Sequence, residues 1–357
     1  MKIGIIGLPK TGKKTLFEAL TQNSLSEKDT QSDRIIQGVA EIRDPRFDSL
    51  IPMYKPKKQT RARINIELLP KIEKDTVKKG DIFKDIAELD AICHVVRVFK
   101  DESVYHASGS IDAKRDIDFV NAELIINDLL FIEKRLDRIE KDLKKTRAET
   151  TLKEKELLLK LKEHLEKEKP LRLLSLEDEE KKIISGYPFI TLKKIIIVLN
   201  VSEGEIGDSL LLTKLNKIYE EEGVYLMQAS VKVEAEIMKL ETEEERTDFL
   251  KALGIDEPAL NILSRLCMKA LNLVSFFTVG SDEVHQWTIP AGSSAPEAAG
   301  SVHTDLKRGF IRAEVMKQED LIKLGSEEKV KESGKFYIKG KDYIVEDGDI
   351  ICIRFNI

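Results

Sequence analysis

Gly7, Lys10, Thr11, Gly12, Lys13, Lys14 and Thr15 are the residues of this chain whose types and spacing bear most directly on chemistry. Two glycines separated by four residues, the second followed at once by a lysine, match G-x-x-x-x-G-K-[ST] up to its last position. Such glycines let successive backbone N–H groups turn toward one anion, and the lysine reaches the outer phosphates. The ligand this implies is a nucleoside triphosphate. Lys14 stands where the pattern requires a hydroxyl to ligate Mg²⁺, and an ammonium has no lone pair to offer a cation. Shifting the register to pair Lys14 with Thr15 fails, because Lys13 would then replace the second glycine. The stretch favours nucleotide binding over fast hydrolysis and disfavours a bound Mg²⁺.

A loop of this kind works only between a strand and a helix, and both are present. Residues 3–6 are an apolar run and residues 16–21 have helical periodicity. The following stretch alternates: 35–42 reads as a strand, 44–50 as a short helix with Pro45 in its first turn, 61–69 as a strand and 80–89 as a helix. Residues 91–99 form a continuous apolar run, as expected for a buried parallel strand. The βαβ pattern stops after Asp101 and resumes with a strand at 195–199, a helix at 210–221 and a strand at 224–229. A parallel sheet interrupted by an insertion is the expectation.

The insertion carries the strongest period in the chain. Ile125, Leu129, Ile132, Leu136, Ile139 and Leu143 alternate spacings of four and three, which sets all six on one stripe of a coiled-coil helix. A second helix over 152–168 carries Leu158, Leu161 and Leu165 on one face and ends before Pro170. The two make an antiparallel hairpin. Between Phe131 and Ser185 sixteen basic residues face fourteen acidic ones, so the surface reads as solvated and balanced rather than as a nucleic-acid groove.

Three further helices are expected at 234–239, 243–253 and 258–273. The tail then changes to short strands at 276–279, 286–289, 311–315, 336–338, 343–345 and 350–355, broken by glycines, which indicates a small α+β domain.

With 357 residues, 41% of them apolar and 34% charged, the chain is long enough for two or three cores and reads as globular. A net charge of −5 means that nucleic-acid affinity would have to come from local patches, such as Lys55, Lys57, Lys58, Arg61 and Arg63, or Lys307, Arg308 and Arg312. Cys93, Cys267 and Cys352 are odd in number and unpaired in spacing, which suggests a reducing cytoplasm and no metal site. His94, His106, His164, His285 and His303 are scattered and read as structural. No signal or membrane segment is expected.

The chain resembles the YchF subfamily of Obg-like P-loop NTPases over nearly its full length. The most specific match is in the tail: Trp287-Thr288-Ile289, Ala298-Ala299-Gly300, His303-Thr304-Asp305, Gly309 to Ala313, Gly340 to Tyr343 and Asp347-Gly348-Asp349. Asp44-Pro45-Arg46 and His94-Val95-Val96-Arg97 match as well. The resemblance implies an α/β fold: a Ras-like P-loop domain with a parallel-sheet core, an inserted antiparallel helical hairpin, and a C-terminal TGS domain of β-grasp type. The corresponding boundaries are 1–115 with 190–273, 116–189, and 274–357. It also implies ATP bound in preference to GTP, and the ribosome or its RNA as partner.

At the base end, GTPases use Asn-Lys-x-Asp, whose carboxylate accepts hydrogen bonds from guanine. Here the strand ends in Asn200-Val201-Ser202-Glu203, so the lysine and the aspartate are both replaced and the guanine clamp is missing. By itself Asn200 reads equally as a strand-end cap; the resemblance implies Asn200, Val201 and Glu203 as base contacts, with Ser230, Val231 and Lys232 as the loop over the base. At the phosphate end the family's Asp-x-x-Gly is replaced by Glu67-Leu68-Leu69-Pro70. Glu67 is the remaining candidate for a metal, one methylene longer than the family's aspartate, and Pro70 has no N–H to give a γ-phosphate. A hydroxyl near Thr30 or Ser32 is the candidate for the other switch position. The combined expectation is a cytoplasmic nucleotide-binding protein of translation, ATP or GTP its ligand and no membrane its partner, with hydrolysis slow or lost. The alternatives are a docking module that uses no nucleotide and a slow ATPase rescued by Thr15 or Glu67.

Overall fold

The structure is a computed structural model that describes residues 1–26, 28–29, 34–73, 81–106, 108–145 and 148–356. Thr30, Ser32 and the part of the segment after Pro70 from 74 to 80 lie outside the described residues. The strands are β1 (Lys2–Ile6), β2 (Ile36–Glu41), β3 (Lys58–Thr60), β4 (Arg63–Leu68), β5 (Ala91–Arg97), β6 (Lys194–Asn200), β7 (Val224–Ala229), β8 (Leu273–Thr278), β9 (Glu283–Pro290), β10 (Phe310–Lys317), β11 (Tyr337–Lys339) and β12 (Asp349–Phe355). They form two sheets, in the orders β2-β4-β1-β5-β6-β7 and β11-β10-β12-β8-β9-β3. The chain divides into two compact units, Met1–Val39 with Asn65–Ala259, and Ala40–Ile64 with Leu260–Ile357.

In the first unit β1 pairs in parallel with β4 and β5, β5 with β6, and β6 with β7. Every residue of β5 is buried, and so is β6 after Lys194, as central strands covered on both faces require. Ile6, Ile92, Val96, Ile195, Ile197 and Leu199 share one core with Ile117, Val120 and Leu124 from the base of the long helix Ala113–Leu143. The register Ile5↔Cys93 and Ile6↔His94 brings the end of β1 beside the middle of β5. The loop that follows β1 therefore opens at the carboxyl edge of the sheet, where α/β folds bind ligands.

The helix Ala113–Leu143 and its partner Glu149–Glu166 form the hairpin. Ion pairs join Glu133 to Lys162 at 2.8 Å and Glu140 to Lys155 at 3.1 Å, so rising numbers on one helix meet falling numbers on the other. Ile125, Ile132, Ile139, Leu158, Leu161 and Leu165 share a dry core, while Leu129, Leu136 and Leu143 are partly buried against it. Asp128, wholly buried, accepts from the backbone N–H of Ile190 at 3.1 Å, the N–H of Thr191 at 2.8 Å and the Thr191 hydroxyl at 2.7 Å. That staple ties the hairpin to the chain re-entering the sheet.

The second unit departs from expectation in three places. Residues 343–345 are not a strand; Ile344 makes only an isolated bridge to Ser294. Residues 58–60, read only as basic, are a strand parallel to β9. The helices Ala295–Val302, Thr304–Arg308, Gln318–Leu324 and Glu327–Glu332 are absent from the expectation because each is short and none is marked by a long period. Two stretches matched at sequence level meet here: Arg46, on the helix Pro45–Tyr54, donates to its own cap Asp44 at 2.8 Å and to Asp347 at 2.7 Å. Among the described residues no helix is long and apolar enough to cross a membrane.

Candidate nucleotide site

The loop after β1 owes its shape to three residues with positive φ: Gly7 at 148°, Lys10 at 59° and Gly12 at 95°. A Cβ on Gly7 would lie 2.5 Å from the Val95 carbonyl oxygen, and one on Gly12 only 2.3 Å from Asn200 Nδ2. Both positions need glycine for space as well as for backbone freedom. Thr11 turns inward and its hydroxyl donates to the Leu8 carbonyl at 3.2 Å. Gly12 is the N-cap of the helix Lys13–Thr21 and offers no side chain to the first turn, so the N–H groups there are left for a ligand.

Lys13 is buried and its Nζ donates to the Gly7 carbonyl at 2.5 Å. Burial, and then the nearby charges of Lys14 and Lys71, lower its pKa from 10.5 to about 7. A phosphate arriving here would restore the full ammonium. His94 on β5 is also buried, and burial together with the Lys13 charge pushes its pKa down to about 3, so it is neutral, and among the described residues its Nε2 has no hydrogen-bond partner.

Asn200 lines the cavity and is held at both ends of its amide. Its Nδ2 donates to the Thr11 carbonyl at 2.9 Å and its Oδ1 accepts the Val231 N–H at 3.0 Å. The Asn200 backbone carbonyl accepts from Val98 and Phe99 at 2.8 and 3.0 Å. Asn200 is a strap between the phosphate loop, the segment after β5 and the segment after β7; the strand-end position made it legible, its partners did not.

These segments enclose a cavity of ≈ 1050 Å³. Lys10, Thr11, Gly12, Lys13, Lys14 and Thr15 line one end, and Asn200, Val201, Glu203, Ser230, Val231 and Lys232 line another part. Of the sequence-based site residues, Gly7 and Glu67 do not line the cavity. The Glu67 carboxylate is buried, 3.1 Å from Lys2 Nζ, and accepts from Gln37 Nε2 at 3.1 Å; the cavity is lined instead by Leu68, Leu69, Pro70 and Lys71.

Sequence reading missed Phe99, Lys100, Asp101 and Val104, which also line the cavity. They are held by Arg97, which is 1% exposed and donates to the carbonyls of Phe99 at 3.2 Å, Val104 at 2.9 Å and Asp101 at 3.1 Å. The guanidinium also stands 4.5 Å from the Phe99 ring centroid. An arginine inside an otherwise buried strand was the available signal.

Residues 273–356 match the family model YchF-GTPase_C, described as a protein of unknown function (DUF933). Across 99% of its length the chain is 39% identical to a protein of Bacillus subtilis (strain 168) named ribosome-binding ATPase YchF, of which it covers 99%. The chain belongs to the YchF family. It is also 36% identical over its whole length to the Obg-like ATPase 1 of Caenorhabditis elegans, covering 92% of that protein. The solved Schizosaccharomyces pombe YchF GTPase superposes with a TM-score of 0.81 at 31% identity, over 99% of this chain and 97% of that one. The YchF fold, a P-loop unit with a parallel-sheet core and a C-terminal unit, is the fold found here.

Mg²⁺ is the ion a P-loop NTPase would hold, and the donors of this YchF chain do not fit it. Lys14 stands where the hydroxyl ligand would be, and the Glu67 carboxylate is turned to Lys2 and Gln37. Among the described residues Lys10, Lys13, Lys14, Arg34, Lys71, Lys100 and Lys232 against Asp29, Asp101 and Glu203 give the lining a cationic balance. Polyphosphate can be neutralised there by side chains.

Proposed function

We propose that this chain binds a nucleoside triphosphate in the cavity, accepts adenine at least as well as guanine, binds with little dependence on Mg²⁺ and turns it over slowly. The observation that carries the reading is the pair Lys13 and Lys14 at the head of the helix, both lining the cavity, where a metal-dependent loop has one lysine and a hydroxyl. A lysine neutralises phosphate as a point charge but cannot clamp two oxygens in fixed geometry as a metal does, which disfavours transfer of the terminal phosphoryl. Val201 and Glu203 at the base end lack the guanine-specific donor–acceptor arrangement, which supports tolerance of adenine.

The relatives' name, ribosome-binding ATPase, supports the ribosome as partner and a cytoplasmic setting. The domain plan carried from the resemblance, with 116–189 as a coiled-coil insertion and 274–357 as a TGS domain, belongs to the same reading. Of the two basic patches, the one around β3 is largely self-paired: Lys57 with Asp282, Lys58 with Glu283, Arg61 with Asp48 and Arg63 with Glu41. In the other patch Arg312 is 3.8 Å from Glu314, and Lys307 and Arg308 are the better candidates for ribosomal phosphate.

Equilibrium dialysis of labelled ATP, GTP and ADP, with Mg²⁺ and with EDTA, tests the nucleotide reading on the wild type and on Lys14→Ser. The expected result is wild-type binding little changed by EDTA and a Lys14→Ser variant that has become Mg²⁺-dependent. Binding of none of the three nucleotides would leave only a docking module. Strong Mg²⁺ dependence with brisk ATP turnover in the wild type would mean that Thr15 or Glu67 serves a metal after all. Co-sedimentation with ribosomes at low and high salt tests the partner, since phosphate contacts weaken as salt rises.

A further inference from the structure

Lys71 follows Pro70, in the segment where a P-loop NTPase senses the terminal phosphate through a glycine N–H that proline lacks. Two backbone hydrogen bonds pin this segment to β1 and the phosphate loop: the Leu69 N–H donates to the Ile5 carbonyl at 3.1 Å and the Ile72 N–H to the Gly7 carbonyl at 3.2 Å. The Gly7 oxygen is also the acceptor that holds Lys13 Nζ. Lys71 thus stands between two tethers and lines the cavity together with Lys13 and Lys14. Its ammonium is 3.1 Å from the Glu73 carboxylate, and both side chains are near half exposed, at 49% and 41%. Both charges are felt at Lys13, where Lys71 opposes the ammonium and Glu73 favours it.

We propose that Lys71 is the residue that distinguishes triphosphate from diphosphate in this chain, exchanging its ion pair with Glu73 for the terminal phosphate without a metal. The proposal rests on the nucleotide-binding reading above. By itself an ion pair as exposed as Lys71–Glu73 contributes little to stability. A terminal phosphate carries more negative charge than a carboxylate and offers three oxygens to a point cation, so the exchange runs toward the nucleotide. A diphosphate lacks that group and leaves Lys71 with Glu73. Discrimination lost with the glycine N–H is regained by charge.

Calorimetric titration of the full chain with ATP and with ADP, both in EDTA, tests this on the wild type, Lys71→Met and Glu73→Gln. The wild type is expected to prefer ATP. Lys71→Met should weaken ATP by about tenfold, the scale of one charge-assisted contact, and change ADP by less than about twofold. Glu73→Gln should tighten ATP, because it removes the competing carboxylate, and leave ADP nearly unchanged. Thermal melting of each variant confirms that a change in affinity is not a loss of fold. An ATP-to-ADP preference unchanged in Lys71→Met, or a wild type that binds both equally in EDTA, overturns this proposal and leaves nucleotide binding intact. A wild type that binds neither nucleotide overturns both.

Discussion

Asn200 Nδ2 lies 2.3 Å from the place a Cβ on Gly12 would occupy, so the amide strap and the second loop glycine are built for each other. Gly12→Ala is expected to displace Asn200 and break its bonds to Thr11 and Val231. Asn200→Ala removes the same bonds from the other side and leaves a buried carbonyl and N–H unpaired, at a cost of about 2–3 kcal/mol. Urea unfolding of both variants checks this. Stability within about 0.5 kcal/mol of wild type would show that the strap holds nothing.

Lys13 makes nucleotide affinity depend on pH. Its pKa is lowered to about 7 by burial, so between there and the ordinary 10.5 the unfolded chain holds a proton that the folded chain does not. Stability of the unliganded protein should therefore rise with pH through that window. Nucleotide reverses the preference, because phosphate favours the ammonium. At about pH 8 binding should take up a proton, and affinity should fall as pH rises further. Titration calorimetry in buffers of different ionisation enthalpy measures the uptake; equal heats in all of them, after correction for the nucleotide itself, would refute the assignment.

Arg97 positions the wall formed by Phe99, Asp101 and Val104 through three backbone carbonyls and touches no part of the phosphate loop through any of those bonds. Arg97→Met should weaken ATP about tenfold or more and leave inorganic tripolyphosphate nearly unaffected, since the latter needs only the cationic end. Lysine cannot span three acceptors in a plane, so Arg97→Lys should not rescue. Equal losses for both ligands would mean that the effect is a general loss of fold.

Asp128 is expected to be the costliest hairpin residue to remove. Asp128→Ala strands two N–H groups and a hydroxyl near Thr191, which destabilises by about 3 kcal/mol. Burial raises the Asp128 pKa, so the wild type itself loses stability as pH rises from the ordinary carboxylate value through the folded one. The difference between wild type and variant should then be larger on the acid side of that range. Denaturant unfolding at two pH values checks both the size and the sign.

The sequence by itself determined the period-based parts of this protein. The strand–glycine–helix unit at 2–21, the buried runs of β5 and β6 and the leucine stripe of the hairpin follow from local spacing, because each buries a face defined by its own residues. The lysine in place of the metal-binding hydroxyl was legible for the same reason. Tertiary structure alone decided what side chains far apart in the chain do to one another. Asn200 read equally as a strand-end cap and as a base contact, and its bond to Thr11 spans 189 residues. Glu67 read as a metal ligand but is turned to Lys2 and Gln37. Arg97 and Lys71, neither of them marked by any period, stand at the cavity because β1, β5 and the segment after β4 meet at one sheet edge. A hydrogen bond or ion pair depends on a few tenths of an ångström between groups brought together by packing, and sequence spacing carries no information at that scale.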